Sequence, residues 1–176
     1  MKILSTNFKD LKIIKGIAFN DKRGSFREVY RSTFFKKKQL IFWIHSKSKK
    51  NVVRGLHLQT RFEQAKFISV VKGEIFDVAV DLRKNSNTYG KYFSVSLSEK
   101  NSYSIYIPEG FAHGFCALGK ENLVIYGLTN YRSQKHEVGI LWNDPVLNIK
   151  WPVKKPIISL IDKKNITLRK FQNINL

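Results

Sequence analysis

In the stretch NVVRGLHLQTRFEQAK, residues 51–66, His57 falls in an apolar, strand-like run beside Arg54 and Gln59, with Lys66 close behind. A second block, IPEGFAHGF, sets Pro108, Gly110 and His113 at P-x-G-x-x-H spacing. An unperturbed imidazole titrates near pH ~6.5, so a strand histidine among cations suits proton transfer at neutral pH. Arg54 and Lys66 would draw in an anion and stabilise negative charge as it develops. The set suits an anionic substrate whose C–H proton is moved. The plainer reading of His57 is an interior histidine with its hydrogen bonds satisfied; its polar neighbours favour the chemical one. His113 alternates with Phe111 and Phe115, which places it on an apolar face where a structural histidine is the ordinary finding.

These residues must be held by strands. Alternation and β-branched or aromatic runs mark QLIFWIH, VVRGLHL, KFISVVK, EIFDVAVDL, KYFSVSL, YSIYI, FAHGFCAL and NLVIYGLT, all from Gln39 onward. In the fourth, Phe76, Val78, Val80 and Leu82 share one face and Asp77, Ala79 and Asp81 the other. Lys72-Gly73 reads as a tight turn between two strands, and Pro108 with Gly110 as a turn that sets the His113 strand. Strict alternation puts Gly55, His57 and Gln59 on one face and Arg54 on the other. A bulge at Gly55 would bring Arg54 round to join them. No amphipathic helix of useful length stands out. The tail after Trp151, with Pro152 and Pro156, reads as extended chain ending in a short helix. Regularly spaced short strands predict an all-β sandwich, jelly roll or barrel, in one domain over residues 1–176.

Composition narrows the partners. Thirty-two Lys and Arg against thirteen Asp and Glu give a formal charge of +19. That charge makes nucleic acid the first partner to weigh. The lysines are scattered, however, with short runs only at Lys36–Lys38 and Lys47–Lys50, and no nucleic-acid-binding motif accompanies them. Solvated surface charge with one small anionic site is the reading preferred. No apolar run reaches the ~18 residues of a membrane span, and MKILSTNFKD has no apolar leader core. Cys116 is the sole cysteine and has no intrachain disulfide partner. The expectation is a cytoplasmic protein with neither a nucleic-acid nor a membrane partner.

The histidine spacing also resembles the cupin metal pattern, H-x-H-x(3)-E followed by P-x-G-x-x-H. Here the first part reads His57-x-Gln59-x(3)-Glu63, so an amide stands where a histidine ligand belongs. A neutral amide is a poor ligand beside imidazole for zinc or iron. The expectation is a cupin-like fold without metal or cofactor.

From Asp21 in DKRGSFRE to Asp162 the chain resembles the dTDP-4-dehydrorhamnose 3,5-epimerase family. VVRGLHLQ, QAKF, GEIFDVAVDLRKNSNTYGKY, IPEGFAHGF and WNDPVLNIKWP carry the likeness in order. The resemblance implies a cupin-type jelly roll with short peripheral helices, a metal-free homodimer and a nucleotide-diphospho-4-keto-6-deoxysugar substrate. Carried over by motif, His57 resembles the base, Asp162 the carboxylate that orients it and Tyr126 the acid that returns a proton. Lys66 would face the enolate oxygen. Arg23, Glu28, Arg54, Gln59, His113 and Glu137 fall among the substrate-binding positions, Arg23 and Glu28 serving the partner subunit's site. The segment from Phe26 to Ile44 would pair with the partner.

Three departures fall near the nucleotide. The family usually shows Gln-x-Asn before S-x-S, where this chain has Trp43, Ile44 and His45. Its aromatic pair is here Tyr131 and Arg132, and its lysine before the final aspartate is Ile161. Trp43, His45 and Arg132 are therefore expected at the base. A GDP- or other NDP-linked 4-keto sugar or heptose, inverted at one centre or two, is the alternative substrate. From other classes, a metal-dependent cupin enzyme is disfavoured by Gln59, and a non-catalytic sugar-nucleotide binder by the trio His57, Tyr126 and Asp162.

Overall fold

The computed structural model describes residues 1–35 and 38–174. Lys36 and Lys37, two of the three lysines of one expected run, lie outside the described residues. The chain forms two facing antiparallel sheets and a small hairpin. Its strands are β1 (Lys2–Ser5), β2 (Lys12–Lys15), β3 (Ala18–Asp21), β4 (Gly24–Arg27), β5 (Phe42–Lys49), β6 (Val53–Gln59), β7 (Lys66–Lys72), β8 (Glu74–Asp81), β9 (Tyr92–Ser98), β10 (Tyr103–Ile107), β11 (Phe111–Ala117), β12 (Glu121–Leu128) and β13 (Glu137–Gly139). One sheet runs β1-β2-β10-β7-β12-β5, the other β13-β6-β11-β8-β9, and β3 pairs with β4 alone. This is the cupin-type jelly roll. The eight strands read from alternation are β5 to β12. The short β1 to β4 and β13 were not foreseen.

Alternation sorts side chains into three apolar layers. Ile68, Val70, Ile105 and Val124 of the first sheet meet Ile75, Leu97, Phe111 and Phe115 of the second to form the central core. The outer face of the second sheet carries Phe76, Val78, Val80 and Leu82, as the sequence predicts. It is covered by Leu147, Ile149 and the helix α1 (Leu168–Gln172), the short helix expected near the end. Thr167 caps that helix by accepting from the Lys170 amide. The outer face of the first sheet packs Ile14, Phe67 and Tyr106 under Tyr30, Phe34, Phe35 and Leu40. Burying a phenylalanine such as Phe115 in the centre is worth ~3–5 kcal/mol against alanine.

Two local features place the site. His113 pairs with His57 and Phe115 with Arg54, so two residues of β6, Gly55 and Leu56, oppose the single Gly114. This is the expected bulge, and it turns Arg54 and His57 into the same space although they are three residues apart. Gly55 has φ +107°, and a Cβ there would sit 2.6 Å from Gly114 Cα and from the His113 carbonyl oxygen. Only glycine suits both constraints. The Lys72-Gly73 turn differs from expectation. It joins β7 of one sheet to β8 of the other instead of closing a hairpin, because both strands find partners elsewhere. Gly73, at φ +82°, lies so close to the Glu121 carbonyl and Asn122 that a side chain would clash.

Candidate active site

A cavity of about 770 Å³ opens between the sheets. Its walls come from β5, β6, β7, β11, β12, the loop before β13 and the tail around residues 157–162.

His57 stands on the second sheet, about one-third exposed to the cavity. Its Nε2 lies 2.7 Å from Asp162 Oδ1, a contact that spans 105 residues. The tail is pinned to do this: the Ile157 carbonyl accepts from the Val53 amide at 3.0 Å, and the Ile157 amide donates to the Asn51 carbonyl at 2.8 Å. Asp162 opens a 3-10 turn, its amide donating to Ser159 Oγ at 3.0 Å. Burial pushes the Asp162 carboxyl up, but bonds to His57, the Gly55 amide and Ser159 outweigh it and hold the acid below the ordinary aspartate value. An ionised Asp162 takes the Nε2–H of a neutral His57 and leaves the lone pair on Nδ1, a tautomer assigned from the hydrogen-bond network.

Lys66, at the start of β7, is buried and lines the cavity. Burial brings its pKa from 10.5 down to about 8, against the opposing pull of Glu137, Glu109 and Glu63. Tyr126, on β12, shares a 2.9 Å hydrogen bond with Ser46 Oγ of the neighbouring β5. Burial raises its hydroxyl above the ordinary tyrosine value, with the Ser46 bond working the other way. His113 also faces the cavity. It is 7% exposed, and its Nε2 is 2.8 Å from Asp77 Oδ2 on β8. Arg54 lines the wall, donating to Ser48 Oγ at 3.0 Å and the Lys47 carbonyl at 3.1 Å. Glu137 and Arg132 close the rim, joined by a 2.7 Å bond from Arg132 Nε.

Of the thirteen site residues expected from sequence, nine meet here: His57, Asp162, Tyr126, Lys66, Arg54, Gln59, His113, Glu137 and Arg132. Four do not. On β5 it is Phe42, Ile44 and Ser46 that face the cavity. Trp43 and His45 therefore point the other way by strand alternation, which corrects their expected place at the base. Trp43 packs edge-on against Tyr30, ring centroids 5.7 Å apart, on the outer face. Arg23, at the tip of the β3–β4 hairpin, is exposed and paired with Asp21 at 2.6 Å. Glu28 is bonded to Arg31. Neither lines this chain's cavity.

Four residues were missed: Asp77, Phe42, Ile44 and Ser46. Asp77 carried a signal, since a carboxylate on a strand face shared with Ala79 is buried and needs a partner. Phe42, Ile44 and Ser46 are legible only once the parity of β5 is known.

The cupin ligand positions are spent on other work. Gln59 is buried. Its Nε2 donates to the Phe62 carbonyl at 2.7 Å, and its Oε1 accepts from the Ser133 amide at 2.6 Å. Glu63 is exposed and does not line the cavity. Among the described residues no three His, Cys, Asp or Glu side chains converge as metal ligands. The donor set does not fit a metal.

Fold and site define a cupin-type jelly roll with a histidine–aspartate pair, a lysine and a tyrosine gathered in its mouth. The chain belongs to the dTDP-4-dehydrorhamnose 3,5-epimerase family, whose profile matches residues 5–170. It is 43% identical to dTDP-4-dehydrorhamnose 3,5-epimerase of Shigella flexneri over 177 residues, 97% of this chain and 96% of that one. The enzyme of the same name from Neisseria gonorrhoeae is 44% identical over 164 residues, and the match spans 90% of this chain but half the length of that relative. The crystal structure of dTDP-6-deoxy-D-glucose-3,5-epimerase from Legionella pneumophila, in complex with dTDP-4-keto-L-rhamnose, superposes with a TM-score of 0.91 at 36% identity, covering 96% and 93% of the two chains.

Proposed function

We propose that the protein inverts C3 and C5 of dTDP-4-dehydro-6-deoxyglucose, giving dTDP-4-dehydrorhamnose. The observation that carries this reading is the His57–Asp162 pair opening into one cavity with Lys66 and Tyr126. A ketone at C4 acidifies the hydrogens on both neighbouring carbons. His57 Nδ1 takes one such proton, and the electron pair moves into the C4–O bond as an enolate. The Lys66 ammonium faces that oxygen in a water-poor pocket, where a positioned charge acts most strongly. Tyr126 then donates its proton to the opposite face of the same carbon as the carbonyl re-forms. The phenolate and the imidazolium return to their starting states by exchange with water, so each inversion balances. Arg54 and His113 serve the diphosphate and sugar. No step passes through a metal.

The test is turnover in D2O, read by NMR at both carbons. Wild type should place deuterium at C3 and C5 and yield the inverted sugar. Tyr126→Phe should lose inversion yet keep exchange, because proton removal by His57 precedes the tyrosine's step. Wild type that exchanges neither carbon would overturn the reading.

A second nucleotide is favoured by one observation. Phe42 and Ile44 present no hydrogen-bonding group to the cavity from β5. A base held there by ring packing alone is poorly discriminated, so a GDP- or other NDP-linked 4-keto sugar is the second substrate reading.

The same reading includes a homodimer in the cytoplasm. Phe19 and Phe26 face each other across the β3–β4 hairpin, 65% and 72% exposed, and Arg27 beside them keeps a buried guanidinium nitrogen without a partner. A second copy seated on the hairpin would cover the rings, and the family resemblance assigns Arg23 and Glu28 to the partner's cavity. Light scattering showing only monomer would refute it. Among the described residues no helix is long and apolar enough to cross a membrane.

A further inference from the structure

His57 stands between two carboxylates. Asp162 holds Nε2, while Glu137 Oε1 lies 3.8 Å from Nδ1, the nitrogen that must stay open to take a substrate proton. That distance is beyond hydrogen bonding. A modest turn of the Glu137 side chain would close it. An imidazolium bonded at both nitrogens is stabilised in the charged form and has no lone pair, so it is no base.

Arg132 opposes this closure. Its Nε binds Glu137 Oε2 at 2.7 Å. The position of Arg132 is itself fixed from below. The buried Gln59 amide receives the Ser133 amide at 2.6 Å and donates to the Tyr131 carbonyl at 3.4 Å, gripping the backbone on both sides of Arg132. Gln59 pairs with Glu137 across β6 and β13, so one side chain sets the spacing of the whole rim. The other groups that face the His57 space are His113 from β11, Tyr126 from β12, Lys66 from β7 and Arg54 from β6 itself. Of these, His113 is engaged by Asp77, Tyr126 by Ser46 and Arg54 by Ser48. Among the described residues Glu137 is the carboxylate nearest Nδ1, and its bond to Arg132 is what keeps it from turning onto that nitrogen.

We infer that Arg132 is a positioning residue that holds Glu137 off His57 Nδ1 and so keeps the base available. The inference rests on the epimerase reading for its consequence, though not for its geometry.

The test separates the two claims. The His57 ring resonances are followed by NMR through a pH titration of the free protein, in wild type, Arg132→Gln, Arg132→Lys and the double variant Arg132→Gln/Glu137→Gln. Arg132 is 61% exposed, so its replacement leaves the core intact. In Arg132→Gln the ring should titrate about one pH unit higher than in wild type, the scale of one gained carboxylate contact. Arg132→Lys should fall nearer wild type, and the double variant should revert. With substrate, the acid limb of kcat/KM in Arg132→Gln should move by the same amount, a loss of about tenfold near pH ~6. A titration unmoved in Arg132→Gln, or a shift that survives in the double variant, overturns the inference. Wild type with no turnover on the dTDP-sugar would instead overturn the functional reading and leave the titration to decide this one.

Discussion

The cavity holds two histidine–aspartate pairs on adjacent positions of paired strands, His57 opposite His113. The bonds are almost equal, 2.7 Å to Asp162 and 2.8 Å to Asp77. What differs is access and origin. The His57 side chain is 36% exposed and its carboxylate arrives on the tail; the His113 side chain is 7% exposed and its carboxylate comes from the next strand of the same sheet. A pair built within a sheet is fixed by the fold and buried with it. A pair completed by the tail can sit at the mouth, where one ring nitrogen stays open to a substrate. On the proposed function the same two residue types serve as substrate-lining wall and as base, and burial decides between them.

Removing the open histidine is the most severe way to break that comparison. His57→Ala should lower deuterium exchange into the substrate by ~10²-fold or more, the usual contribution of a general base. The folded protein should survive, since His57 is part-exposed. A loss smaller than ~10-fold would mean that the two pairs had been told apart wrongly.

The carboxylates sharpen it at the next level. Asp162→Asn keeps the shape but offers His57 an amide, which favours the wrong tautomer, as in other histidine–aspartate sites. It should lower kcat/KM by ~10²-fold and leave stability nearly unchanged. Asp77→Asn should do the reverse. Asp77 is fully buried and its Oδ1 has no partner, so disturbing its one bond should cost about 1–3 kcal/mol in denaturant unfolding with less than a ~10-fold change in rate. Equal rate losses in both variants would erase the distinction between wall and base.

The strands that bear both pairs are legible from alternation, because β6, β8 and β11 are seven or eight residues long with regular apolar positions. The four N-terminal strands are four residues each, and β3 and β4 pair only with each other and are largely exposed, so their local pattern is weak. The bulge at Gly55 was readable because a glycine interrupts a strand that needs Arg54 and His57 on one side. Asp162 was not readable from pattern; it joins the site only through a contact across 105 residues, and the family resemblance alone pointed to it. Trp43 and His45 failed for a different reason. A side-chain period of two makes every assignment on β5 depend on a register that one residue reverses.

Lys66 gives a milder test, through pH. A lysine that must be charged to face an enolate loses its role as pH rises through about 8, its value in the buried site. The basic limb of kcat/KM should therefore fall near pH 8, well below the range of an exposed lysine. Stability moves the other way. The folded state binds this proton less tightly than the unfolded chain, so between pH 8 and 10.5 the unfolded state carries more of it and unfolding becomes harder with rising pH. Lys66→Met should remove both trends at that group. A basic limb unchanged in a Lys66→Arg variant would show that another residue sets it.

The smallest effect lies on the wall that carries no dyad. Phe42 and Ile44 on β5 pair directly with Leu128 and Tyr126 on β12, and Phe42 stacks tilted on the exposed Tyr131, ring centroids 5.5 Å apart. Across the cavity stand the polar side chains of Arg54, His57 and Glu137, whereas Phe42 and Ile44 are apolar and supply surface without donors. Surface of that kind adds affinity for any flat ring and discriminates little between rings. Wild type should therefore bind dTDP and GDP within about tenfold of each other, a difference of ~1.4 kcal/mol. Ile44→Asn places an amide in the cavity and should widen the gap in one direction by a further few-fold, since one neutral hydrogen bond is worth only about 0.5–1.5 kcal/mol. Neither value should depend on Trp43, which faces outward against Tyr30 and Phe67. Calorimetric titration of both nucleotides into wild type, Ile44→Asn and Trp43→Ala decides the matter. A strong dTDP preference in wild type, lost in Trp43→Ala and untouched in Ile44→Asn, would reverse the assignment of the two faces of β5.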